Sequence, residues 1–138
     1  MVTTGILPNA VTKKLTPVLM VDAIEPCLSL WVDRLGWTKT AEVPEGDKLG
    51  FVILAKDGAE LMYQTWLSVE KDVGHAQKRA VGTSVGLFIE VSDLDAIEKQ
   101  IEGLPIVLPR RRTFYGMDEV GVAEAGGHTV VFAQTVQD

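Results

Sequence analysis

The stretch GAELMYQTW, residues 58 to 66, places one acid at the head of an apolar run that also carries an amide and two large aromatic side chains. On a strand, alternation puts Glu60, Met62, Gln64 and Trp66 on one face and turns Tyr63 to the other. A face of this kind binds rather than reacts: the carboxylate accepts a cation or a hydrogen-bond donor, and the indole offers a flat surface for stacking. Two roles stand open for Glu60, a receiver of a ligand's cationic or donor group and a wall carboxylate bonded to backbone or a neighbour, since a buried acid without a partner is too costly to keep. Trp66 divides in the same way between pocket and core. A second aromatic pair, Phe114 and Tyr115, follows Arg110, Arg111 and Arg112. Those rings could form another pocket wall, with Arg112 meeting an anionic group or a partner acid; three adjacent bases also suit a solvated turn.

Other reactive residue types lack the company that catalysis needs. His75 lies in a polar segment and His128 follows a Gly-Gly pair, and neither sits near a nucleophile elbow or a Cys-His arrangement. Cys27 falls at a helical position suited to burial, where packing is its expected role. No glycine-rich phosphate loop is present. Phe51, Phe88 and Phe132 stand in strongly apolar strands and are expected to pack, as are Trp31 and Trp37 with the first helix and its end.

The elements that must position these residues are legible in the hydrophobic pattern. LTPVLMV (15 to 21) predicts a strand, and AIEPCLSLWVDRLGW a helix with Ile24, Leu28, Trp31 and Leu35 on one side and Gly36 at its C-terminal cap. TKTAEVPEG holds a short strand and turn, LGFVILAKDG a strand ending in an Asp-Gly turn, and AELMYQTW the returning strand. After a polar connector, SVGLFIEV, DLDAIEKQIEG, PIVLPRRRTFYGM, DEVGVAE and HTVVFAQ repeat that grammar, with Gly126 and Gly127 at the second hairpin. The fold class is therefore α+β: two tandem βαβββ modules, about 14–67 and 83–135, joined by a connector at 68–82 and forming curved mixed sheets around a cleft.

Composition narrows the function classes. The 138 residues are 46% hydrophobic and contain a single cysteine, so one domain with an ample core and no intrachain disulfide is expected. No apolar run approaches a membrane span and no signal peptide precedes the first strand, which points to a cytoplasmic protein. A net charge of −6 argues against nucleic acid and anionic membranes as partners and mildly favours cationic small molecules.

PVLMVDAIEPCLSLWVDRLGW, DGAELMYQ and YGMDEVGVAEAGGHTVVFAQ together resemble successive signatures of the vicinal oxygen chelate superfamily, which includes glyoxalases, extradiol dioxygenases and bleomycin-resistance proteins. The resemblance runs from Leu15 to Gln134 and is strongest to the bleomycin-resistance type, whose members generally bind a ligand without transforming it. It implies a metal-free binding protein that sequesters an aromatic or cationic compound, as in antibiotic resistance, in clefts shared by the two chains of a homodimer. The alternative it implies is a divalent-metal enzyme of glyoxalase or dioxygenase type. Metal enzymes of the superfamily draw four ligands from equivalent strand positions, which here fall on Thr16, Glu60, Gly86 and Val131. One carboxylate against three or four required donors implies no metal and no cofactor.

Overall fold

The computed structural model describes residues 14–73 and 85–136. His75 and much of the expected connector lie outside them.

Alternation decides which side of each strand enters the core. In β1 (Val18–Val21) Leu19 and Val21 are buried, and in β4 (Ala59–Thr65) Leu61, Tyr63 and Thr65 are. β3 (Lys48–Lys56) buries Val52 and Leu54, while β2 (Thr38–Glu45), at the sheet edge, buries nothing. These strands form one four-stranded sheet, sheet A, in the order β1-β4-β3-β2, with β1 and β4 parallel. β5 (Gly86–Glu90), β6 (Ile106–Arg112), β7 (Met117–Ala123) and β8 (Thr129–Thr135) repeat the plan as sheet B, in the order β5-β8-β7-β6, again with one parallel pair. The two βαβββ units expected from the sequence are both present.

The helices bind each sheet into its module. α1 (Glu25–Leu28) has Pro26 in its first turn and runs on as a π-helical stretch, Ser29–Arg34, that ends where Leu35 N–H donates to Leu30 O at 3.0 Å and Gly36 takes a φ of 76°. The wider turn keeps Leu30 and Trp31 both inside. α3 (Leu94–Gln100) is capped by Asp93, whose carboxylate accepts the Ala96 N–H at 3.1 Å. Gln134 on β8 fixes the same helix end by accepting the Leu94 N–H at 2.7 Å.

One expected boundary moves. β4 stops at Thr65, and Trp66 opens a helix, α2 (Trp66–Val73), where a returning strand and then a polar connector were expected. The physical reason is a cap: the Thr65 hydroxyl accepts the Ser68 N–H at 3.1 Å and starts a helix at Trp66.

A single apolar cluster holds the helix-bearing faces of both modules, from Leu19, Trp31 and Tyr63 to Val122, Val130 and Phe132. Arg34 stitches the helix ends by donating to the carbonyls of Glu102 (2.8 Å) and Gln100 (3.3 Å). Deeper in, a polar chain crosses from one module to the other: Trp31 Nε1–H donates to the Tyr63 hydroxyl (2.9 Å), which donates to Glu124 Oε2 (2.6 Å). Glu124 Oε1 accepts the His128 backbone N–H at 2.6 Å and lies 3.0 Å from its ring Nδ1. Because the helix-side faces meet each other, the opposite face of each sheet is turned out of the shared core.

Candidate functional site

The outward face of sheet A is built from the even residues of β1 and β4 and the odd residues of β3. Val18, Met62 and Ile53 form one row across it, and Met20, Gln64 and Phe51 the next. All six are partly accessible, so the face is apolar and unfinished in a single chain. Glu60, Met62 and Gln64 share it as the sequence predicts. Gln64 donates through Nε2 to the Ser68 hydroxyl at 3.1 Å, which ties the face to α2.

Glu60 is already partnered. Lys14 Nζ stands 2.9 Å from its Oε1 and the Thr16 hydroxyl donates to the same oxygen at 3.1 Å. The hydrogen bond from Lys14, reinforced by that from Thr16, holds the carboxyl below its ordinary range. A cationic ligand would have to displace Lys14 to reach it. Trp66 corrects the expectation that it shares a strand face with Glu60, because it belongs to α2. Its indole nitrogen is buried and is the one such side-chain atom among the described residues without a hydrogen-bond partner.

Sheet B turns out a row running Arg111, Glu119, Ala133, Glu90 and, beside it, Gly121, Val131 and Phe88. Glu119 is 2% exposed. Arg111 lies over it and donates from Nε (2.9 Å) and Nη2 (2.6 Å) to Oε1, and the Tyr115 hydroxyl donates to Oε2 at 2.7 Å. The Tyr115 bond and then Arg111 hold the Glu119 carboxyl below its usual range, against the opposing cost of burial. Tyr115 is correspondingly harder to ionise, chiefly because it donates to Glu119. The sequence pointed to Arg112, but Arg112 pairs with Asp118 (2.6 Å), one residue out of register and therefore on the other face. Phe114 is wholly exposed in the β6–β7 turn and meets Tyr115 edge to face at 5.1 Å. Arg110 bridges to Asp95 and Glu98 on α3.

The strand pairings revise the four positions implied for a metal. Thr16 bonds to Glu60, so the counterpart of Glu60 in sheet B is the residue beside Gly86, which is Thr129; Val131 pairs with Phe88 instead and corresponds to Met62. The register that keeps Glu60 thus offers two hydroxyls, one carboxylate and a glycine. That set does not fit a divalent ion, and among the described residues no three His, Cys, Asp or Glu side chains gather elsewhere.

His128 and Glu124 were invisible as a pair because each looks unremarkable alone; the signal was their placement on either side of the AGG turn, where a tight hairpin sets them opposite each other. Both are buried, Glu124 completely. Burial pushes the neighbouring Cys27 thiol up to about 12, and burial together with Glu124 raises Tyr63 as well. A thiol kept protonated and sealed from water is no nucleophile, so this chain of groups is structural. A separate hollow of about 370 Å³ lies between the modules beside Trp37, Ile97 and Phe132, and none of Glu60, Met62, Gln64, Trp66, Arg112, Phe114 and Tyr115 lines it.

No family model matches the chain, and no curated protein sequence does. Solved structures do. A glyoxalase/bleomycin resistance protein/dioxygenase from Nocardioides superposes with a TM-score of 0.71 at 14% identity, over 94% of this chain and 88% of that one. TnmS3, an antibiotic binding protein from Streptomyces sp. CB03234, gives 0.69 at 17%, over 92% and 98%. A lactoylglutathione lyase from Agrobacterium tumefaciens gives 0.69 at 15%, over 89% and 94%. Over nearly its whole length the chain has the fold of these glyoxalase/bleomycin-resistance/dioxygenase-type structures.

Proposed function

We propose that the protein is a metal-free binder of small, flat organic compounds, held between the outward face of sheet A in one chain and that of sheet B in a second copy. The observation that carries this reading is the pair of outward faces, apolar and half-open, each with only a few polar groups set among them. Val18, at the start of β1, is 40% exposed and Phe88, in the middle of β5, 55%, which leaves apolar surface open to water on both faces. A homodimer covers both faces and makes two equivalent clefts at once. Met62 and Gln64 would line one wall and Tyr115 and Phe114 the other, with Glu60 and Trp66 at the margin of the first. TnmS3, named as an antibiotic binding protein, shares the fold, which supports sequestration of an antibiotic-like compound in the cytoplasm as the role. An enzyme of the lactoylglutathione lyase kind would need the donor set that Thr16, Glu60, Gly86 and Thr129 fail to supply. Light scattering in dilute solution tests the assembly: a species of twice the chain mass is expected, and a monomer at micromolar concentration would defeat the shared cleft. Binding is tested by melting-temperature shifts with planar antibiotics and dyes, since a ligand that binds only the native state raises the midpoint by mass action.

A further inference from the structure

Resting on the binding reading above, we infer that the cleft selects a flat ligand bearing an oxygen acceptor, an anionic one above all, and that Arg111 is the residue that sets this preference. The argument starts from donors and acceptors. Glu119 engages one edge of the Arg111 guanidinium, through Nε and Nη2, with the Tyr115 hydroxyl beside it, and no hydrogen bond to Glu119 runs from Nη1. The side chain is 54% exposed, so that remaining edge faces solvent from the outward side of sheet B, beside the half-exposed Tyr115 ring. A guanidinium fixed at one edge by a buried carboxylate is pre-organised at the other, where it presents planar donors suited to a carboxylate, sulfonate, phenolate or carbonyl oxygen. Glu119 is the positioning residue here; it touches the arginine and not the ligand.

The sheet A wall has the same bias. Its carboxylate, Glu60, is taken by Lys14 and Thr16. On both walls, then, the acid beside the apolar and aromatic groups is committed. One uncommitted acid shares the sheet B face, Glu90, but it stands at the far edge of the row, three strand spacings or about 14 Å from Arg111. A cation beside the Tyr115 ring would meet a carboxylate, Glu119, whose oxygens are already held by Arg111 and the Tyr115 hydroxyl. This reverses the preference that net charge alone suggests, because local pairing and not the sum of charges decides what a cleft recognises.

Three probes of one ring system test it on the full chain by calorimetric titration: 2-naphthoate, the neutral ketone 2-acetylnaphthalene and 2-naphthylmethylammonium. The expected order is naphthoate, then ketone, then ammonium, with about tenfold between first and last, the factor a single charge-assisted hydrogen bond supplies. Arg111→Gln loses the cation paired with buried Glu119, so its melting curve is measured first and titrations are run well below its midpoint; the folded protein should bind naphthoate no better than the ammonium. Ammonium binding as tight as naphthoate, or an order unchanged in Arg111→Gln, would overturn the assignment while leaving the binding reading standing. Failure of all three probes to bind would sink both.

Discussion

Tyr63→Phe removes one oxygen and nothing else from the polar chain that joins the modules, and the structure sets what that should cost. The hydroxyl accepts from Trp31 Nε1 at 2.9 Å and donates to Glu124 at 2.6 Å, all three groups being buried. Its loss orphans a buried indole N–H, worth about 1–3 kcal/mol, and deprives a buried carboxylate of a charge-assisted bond worth about 1.5–3 kcal/mol. Together these give roughly 3–5 kcal/mol, which in a domain of this size lowers the melting temperature by about 10 °C or more. The assay is thermal melting followed by circular dichroism at neutral pH. Tyr115→Phe is the matched control: it deletes a similar bond to Glu119 (2.7 Å) at a half-exposed ring, where water can replace the hydroxyl, and should cost about 1 kcal/mol at most. A double-mutant cycle of Tyr63→Phe with Glu124→Gln should show coupling, since the two share the bond. A Tyr63→Phe protein melting within about 2 °C of wild type would refute the claim that this chain holds the modules together.

Other consequences can be measured on the same protein. A methyl added at Gly126 would lie 2.7 Å from Val21 Cγ1 and 2.9 Å from Glu124 Oε1, so Gly126→Ala should destabilise by about 1–3 kcal/mol in urea titration. Trp66→Phe removes a buried donor that has no acceptor and should stay within about 1 kcal/mol of wild type, whereas Trp66→Ala, which deletes the ring, should lose about 3–5 kcal/mol. Glu119, Asp118 and Glu60 all have carboxyl pKa values below the ordinary range in the folded state. Their contribution is therefore full above the unfolded carboxylate value near 4.5 for glutamate and is lost as pH falls through the lower folded values, so urea stability should decline progressively as pH falls below that value. Arg111→Gln should flatten part of that decline, because it removes one cause of the Glu119 shift.

Much of the fold was legible because its signals are local. Alternation in ELMYQT separated core from outward residues, and Asp57 and Gly58, with φ of 50° and 84°, make the hairpin that an Asp-Gly pair predicts. Phe132 packs as expected, whereas Phe88, 55% exposed, and Phe51, partly accessible, stand on the outward faces, because apolar neighbours in a strand do not tell which side a ring takes. What escaped was set by neighbours far along the chain or by one side-chain bond. The Thr65 cap diverted Trp66 from strand to helix. Lys14, just ahead of β1, took the carboxylate of Glu60 from far along the chain. Arg111 rather than Arg112 shares the outward face with Glu119 because β6 is irregular, its register shifting between Leu108 and Arg111, and parity along the chain cannot be counted through a bulge. Tyr63 looked like a surplus aromatic on the wrong face of a pocket strand; its role depends on Glu124, 61 residues later.

The central claim is that the outward sheet faces hold a flat organic ligand with no metal between them. The most direct measurement is the melting temperature of chelator-treated protein, titrated with planar aromatic acids and, in parallel, with zinc, nickel and iron(II). The account predicts a saturable rise with the organic compounds, equal in size whether or not metal is added, and no rise with metal alone. A stoichiometric stabilisation by one of the metals, with organic ligands bound only in its presence, would contradict it.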